Sequence, residues 1–206
     1  MNPEVGPASM SEAGIGQPSQ ATRRSSAVRR SLAVGAGALI IALSAQVVMP
    51  VPFSPVPMTL QPLAVLAVGG LLGGTAALAA LVLYMGLGLV GFPVFAGGGS
   101  GLLRLLGPTG GYLMSYPFAA FLTGLLAERG LDRRYATSVL AMGAGLAVVF
   151  TFGVVWLAWF ARPAAGSLDL ALRTGLYPFI PADIVKIFVA AAVMPALWKV
   201  TGNRRG

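Results

Sequence analysis

Leu60-Gln-Pro-Leu-Ala-Val-Leu-Ala-Val-Gly-Gly-Leu-Leu-Gly-Gly-Thr-Ala-Ala-Leu-Ala-Ala-Leu-Val-Leu-Tyr-Met-Gly-Leu-Gly-Leu-Val90 runs for 31 positions without one charged side chain. A helix needs roughly 20 apolar residues to cross a bilayer. The stretch is therefore one long tilted helix or two short ones. Gly69-Gly70 and Gly73-Gly74 offer a break in its middle. Two halves would each be about 24 Å long at 1.5 Å per residue, so they need some thinning of the bilayer or cover from neighbours.

The charges around the stretch choose between the two forms. Basic residues cluster at Arg23, Arg24, Arg29 and Arg30, at Arg129, Arg133 and Arg134, and at Lys199, Arg204 and Arg205. Further apolar runs read as spans over about Ser31–Met49, Tyr112–Ala127, Ala136–Ala161 and Pro178–Lys199. With two helices in Leu60–Val90, ten bases share one side and three (Arg104, Arg162, Arg173) lie on the other. With one helix the middle cluster crosses to the opposite side. Basic residues concentrate on the cytoplasmic side of membrane proteins, so the count favours six transmembrane helices with both termini cytoplasmic. The expected architecture is an all-α membrane protein. It comprises a disordered basic tail over 1–30, a six-helix domain over 31–199, and a short basic tail over 200–206. The N-terminal segment has a second reading. Its paired arginines, an apolar run and Ala42-Leu-Ser-Ala45 also fit a secretion signal with a cleavage site.

Composition agrees. Of 206 residues 56% are hydrophobic and 10% charged, and the mean hydropathy is +0.81. Soluble domains carry about a quarter charged residues. This excess of apolar surface excludes an ordinary cytosolic enzyme, and it also excludes a disordered chain. The net charge of +8 reads as the cytoplasmic face of a membrane protein, with no nucleic-acid partner implied. The chain has neither Cys nor His, which removes thiolate chemistry, iron–sulfur ligation and imidazole metal sites. No Gly-x-x-x-x-Gly-Lys-Ser/Thr stretch is present, so the chain carries no such nucleotide loop of its own.

Asp183 and Lys186 are the only ionisable residues inside any expected span. A charge inside a membrane is costly and usually marks a substrate path. Three residues apart on a helix, the two share a face. Pro181 suits a first helical turn, which puts Asp183 near the positive helix end. The bland alternative is an ion pair that locks the last helix. Arg104 lies in the glycine-rich segment Gly91–Gly111 and is either a solvated loop residue or a carboxylate clamp. Thr59 and Gln61 follow the proline-rich break Pro50–Pro57 and offer hydrogen bonds. Phe53, Tyr84, Phe92, Phe95, Tyr112, Tyr116, Tyr177 and Phe179 stand at the same outer level, where some would wall an apolar ligand body. Ala38 and Ala42 form a small-xxx-small pair on the first span, suited to close helix approach and equally explained by internal packing.

Four motifs, in order, carry a resemblance: Pro57-Met-Thr-Leu-Gln-Pro62; Leu83-Tyr-Met-Gly-Leu-Gly88 leading to Gly91-Phe-Pro-Val-Phe95; Gly107-Pro-Thr-Gly-Gly-Tyr112; and Pro178-Phe-Ile-Pro-Ala-Asp-Ile-Val-Lys186. The chain resembles the BioY family, the biotin-binding S components of energy-coupling factor transporters, over roughly residues 31–199. Ala182 departs from the family pattern, which has Gly before the Asp. The resemblance implies a six-helix fold in the bacterial cytoplasmic membrane that captures biotin from outside, with no cofactor and no enzymatic step. It implies a transmembrane T component and ABC ATPases as partners; the sequence leaves open a homo-oligomer that works alone. Asp183 and Lys186 would hold the ligand, with Arg104 on its carboxylate. Thr59, Gln61, Tyr84, Phe95 and Tyr112 would complete the ligand site, and Ala38 and Ala42 would face the T component. The residues alone leave other classes open: an ion-coupled carrier for a small carboxylate in which Asp183 changes protonation state, an intramembrane enzyme, or a structural protein.

Overall fold

A computed structural model describes residues 20–160 and 168–201. They form eight α-helices, α1 (Gln20–Ser44), α2 (Gln61–Leu72), α3 (Gly74–Val90), α4 (Leu102–Leu106), α5 (Gly110–Glu128), α6 (Tyr135–Phe160), α7 (Leu168–Gly175) and α8 (Ile180–Thr201), and two short strands, β1 (Val48–Met49) and β2 (Met58–Thr59).

The charge-free stretch does divide. Gly73 ends α2 and opens α3 with φ at +80°, a conformation that suits glycine. The carboxylate of Glu128, at the end of α5, accepts a hydrogen bond from the Gly74 N–H at 3.0 Å and so occupies the start of α3. Nearby, Arg30 donates to the Thr75 hydroxyl at 2.8 Å. The break therefore sits beside Arg30 of α1 and Glu128 at the end of α5.

Helix α5 is the hub, packed against α6, α2 and α3. Helix α1 lies on α3 and α2, and α8 on α6 and α2. Close approach depends on glycines where helices cross. A Cβ on Gly69 would meet the Ala120 carbonyl oxygen at 2.7 Å, and one on Gly124 would land on the backbone of Gly73 and Gly74. With little hydrophobic drive between helices in lipid, such backbone proximity is a main source of packing energy. The core joins residues of every long helix, among them Ile41, Leu66, Leu81, Tyr84, Tyr116, Met142, Val149 and Met194. Outward-facing side chains are just as apolar: Leu39, Ile40 and Leu43 on α1, Leu140 and Val155 on α6, Val185, Phe188 and Val189 on α8. Only a hydrocarbon surrounding matches such a surface.

Among the described residues, two helices are long and apolar enough to cross a membrane, Arg24–Ser44 and Tyr135–Phe160. A bent pair, α7 with the first part of α8, gives a third candidate at 53°. Helices α2 and α3 fall short of that length.

Several expectations need correction. Residues 20–30 are helical, so the basic tail is in part the first turns of α1; residues 1–19 and 202–206 lie outside the described residues, as does Arg162. The protein is mostly helical as expected, and one antiparallel pair of two-residue strands, β1–β2 with Val48 opposite Thr59, brackets the proline-rich break. The glycine-rich segment holds α4, and the linker before the last span holds α7. Ala38 is buried in the core and Ala42 is half-buried. On this part of α1, Gly37 meets Leu72 and Val68 of α2 and Ala80 of α3, while Leu39, Ile40 and Leu43 are exposed.

Candidate functional site

One cavity gathers loops at one end of the bundle and the helix ends beside them. Val56, Pro57, Met58 and Thr59 of the hairpin line it, with Gln61 and Pro62 of α2, Phe95 and Ala96, Arg104 of α4, Thr109, Tyr112, Leu113 and Tyr116 of α5, Val149 and Phe150 of α6, Phe179, and Asp183 and Lys186 of α8. Walls are mostly apolar and the polar groups converge, as in small-molecule sites.

The polar end is built from α8 and the hairpin. Pro181 lies in the first turn of α8, and its fixed φ suits that place. One turn brings Asp183 and Lys186 onto one face, and the Lys186 ammonium donates to the Asp183 carboxylate at 2.6 Å. Asp183 is 3% exposed. Lys186 also donates to the Thr59 backbone carbonyl at 2.8 Å, tying α8 to β2. An ammonium has three N–H groups and a carboxylate accepts about four hydrogen bonds. These two contacts leave capacity on both groups beside the cavity. The pair is therefore both a lock between elements and a polar surface for a ligand.

Thr59 and Gln61 form the adjoining wall. The Thr59 hydroxyl accepts from the Gln61 N–H at 3.2 Å and starts α2, where its Oγ1 also lies 3.4 Å from the Gln61 side-chain oxygen. The Gln61 amide donates to the Tyr84 hydroxyl at 2.7 Å. Tyr84 does not line the cavity. It braces Gln61 and meets the Phe95 ring edge-on, with centroids 5.6 Å apart. Phe95 rests over Gly88, where any Cβ would collide with the ring. Its loop is stapled to the end of α1 by Gln46, just beyond that helix, whose side-chain oxygen accepts from the Gly98 N–H at 2.9 Å and whose amide donates to the Ala42 carbonyl at 3.0 Å and the Phe95 carbonyl at 3.4 Å.

Tyr112 crosses the site in the other direction. Its hydroxyl donates to the Gly175 carbonyl at 2.7 Å, so α5 holds the end of α7 just before the bend into α8. Tyr112→Phe should cost about 1–3 kcal/mol, since a buried carbonyl is left without its partner. Thermal unfolding of the detergent-purified protein reads this as a lower midpoint, and an unchanged midpoint would deny Tyr112 the role of a strut.

Arg104 stands at the mouth, exposed on α4, with its guanidinium against Gly99. The cavity therefore has a buried, doubly charged end and an open end with one cation. Of the expected ligand residues, all but Tyr84 line it. Tyr116, Thr109, Phe179, Val149 and Phe150 were not among them. Tyr116 and Phe179 had a signal, since both belong to the outer aromatic level. Val149 and Phe150 had none, because α6 is apolar along its whole length. Ala38 and Ala42 lie elsewhere, as described above.

Residues 17–203 match the model of the BioY family. The chain is 39% identical to a probable biotin transporter BioY of Pyrococcus horikoshii over 161 residues, covering 78% of this chain and 92% of the relative. It is 38% identical to the biotin transporter BioY of Rhodobacter capsulatus, covering 76% and 85% of the two chains. Its fold matches the crystal structure of the S-component for biotin from an ECF-type ABC transporter with a TM-score of 0.75 and 27% identity, over 85% of this chain and 93% of that one. The site, the membrane-suited exterior and these likenesses agree, and the chain belongs to the BioY family.

Proposed function

We propose that this protein captures biotin and serves as the substrate-binding S component of an ECF-type transporter. One observation carries the reading: a buried acid and a nearly buried amine share the deep wall of an apolar cavity and still have hydrogen-bonding capacity. Biotin offers the matching groups. Its ureido ring has two N–H donors and one carbonyl acceptor, its bicyclic body is apolar, and its tail ends in a carboxylate. Asp183 accepts from a ureido N–H, Lys186 donates to the ureido oxygen, and Thr59 and Gln61 stand beside them. Phe95, Tyr112, Tyr116 and Phe179 enclose the rings, and Arg104 pairs with the tail. Every step is binding; no bond is made or broken.

The cavity has a volume of about 50 Å3, room for a few waters. A ligand as large as biotin therefore has to widen the cavity as it binds. Six spans with both termini cytoplasmic suit this arrangement, with the cavity opening outward and the 129–134 cluster on the inner face. That topology counts α2, α3 and α5 as spans, sheltered by their neighbours. A basic terminal segment then flanks a transmembrane domain over 31–199, in a bacterial cytoplasmic membrane. No ATP loop is evident in this chain, so ATP hydrolysis on partner chains drives transport, through a transmembrane T component.

Purified protein should bind biotin saturably, with a change in tryptophan emission. Trp156 is placed to respond: its indole N–H donates to the Gly107 carbonyl at 2.8 Å, two residues from Thr109 at the cavity. A calorimetric titration showing no saturable heat would end the proposal.

A further inference from the structure

The two ends of the cavity differ in a way that bears on which molecules it admits. At the deep end Asp183, Thr59 and Gln61 are buried and Lys186 is nearly so, each held by neighbours. At the mouth the cation is Arg104, exposed on a five-residue helix whose neighbours Leu102 and Leu103 also point outward. Hydrogen bonds and charges weigh most where water is excluded, and least where it screens them. A ligand seated with its ureido ring on Asp183 and Lys186 thus has its identity checked at the ring and hardly at all at the tail.

We infer that the site accepts a second class of ligand, biotin extended through its carboxyl group as an amide, with biotinyl-lysine the simplest member. This inference rests on the proposed biotin reading and adds that the tail end is permissive. Turning the carboxylate into an amide removes a charge at an exposed, screened arginine. The amide carbonyl still accepts a hydrogen bond from the guanidinium. The added group leaves at the Arg104 end of the cavity, where the lining cation is exposed. Exposed ion pairs contribute little, at most about a fivefold change in affinity. Changing the ring is different. Removing the ureido carbonyl takes away the acceptor facing Lys186, and leaves a buried donor without a partner. The site therefore captures breakdown products of biotin-bearing proteins together with the free vitamin.

The test is competition against labelled biotin on the full chain in detergent. Four competitors are needed: biotin, biotinyl-lysine, a biotinylated decapeptide, and diaminobiotin, which lacks the ureido carbonyl. The expected result is that biotinyl-lysine and the peptide bind within about tenfold of biotin, whereas diaminobiotin loses more than about tenfold. Raising salt from 50 to 500 mM should weaken biotin more than biotinyl-lysine, because the tail of biotinyl-lysine ends in a carboxylate offset by its own ammonium, whereas biotin presents Arg104 with a net negative charge. Amides weaker than biotin by more than tenfold would overturn the inference and leave biotin capture intact, and so would a decapeptide that fails where biotinyl-lysine binds. Absence of saturable binding by biotin itself is a separate outcome and removes the underlying reading.

Discussion

Asp183→Asn is expected to weaken biotin binding by about 10- to 100-fold, the largest loss from any one atom replaced in this site. A hydrogen bond to a charged group contributes about 1.5–3 kcal/mol, and tenfold in affinity is 1.4 kcal/mol. The carboxylate is 2.6 Å from the Lys186 ammonium and buried, so its neutral replacement also leaves a buried cation without its counter-charge. Breaking one partner of such a pair costs about 3–5 kcal/mol of stability. A fall in binding and a fall in stability therefore coincide in the single variant, and the two causes have to be separated. The double variant Asp183→Asn with Lys186→Met does this. Removing both charges relieves the unpaired one, and such replacements are often neutral for stability. Thermal unfolding should recover toward the unmodified protein while biotin affinity stays low. Recovery of both would assign the pair to helix locking alone.

Gly124→Val should largely prevent folding, with a cost above about 3 kcal/mol. Over-packing a core usually costs about 1–3 kcal/mol when side chains can shift. Here the new Cβ meets backbone: the Gly73 carbonyl carbon at 2.5 Å and the Gly74 Cα at 2.7 Å. Those atoms cannot rotate away. The valine would push α5 off the α2–α3 break and pull Glu128 from the start of α3. Gly143→Ala is the contrast. It lies in α6 with nothing within 4 Å of the added carbon, and alanine favours helix by about 0.5–1 kcal/mol over glycine. Its unfolding midpoint should rise slightly. Equal effects at the two positions would mean that helix propensity, and not interhelical contact, decides what these glycines do.

Much of the site was legible because ionisable residues are scarce in this chain. With only Asp183 and Lys186 inside an apolar run, cost alone singled them out. Arg104, Thr59 and Gln61 were legible as polar residues in otherwise apolar or glycine-rich segments beside the helix ends. Tyr84 was misread in part. Its chemistry suggested ligand contact, whereas it braces Gln61 from behind. Gln46 carried no signal at all, since a glutamine at a helix end usually faces water, and its role depends on a loop 52 residues away. Val149 and Phe150 were invisible for a different reason: on a helix apolar all round, periodicity cannot say which side faces in.

Charge placement and the glycine pairs at 69–70 and 73–74 were local facts, and with them came helical class, the division of Leu60–Val90 and the identity of the ion pair; the structure placed the break at Gly73. Those features depend on the solvation cost of a charge and on backbone freedom, which each residue carries wherever it goes. The inward face of Ala38, the brace formed by Tyr84 and the anchoring of α7 by Tyr112 were not local. They required helices from distant parts of the chain to meet, because in lipid one apolar side of a helix is as good as another until a neighbour packs against it.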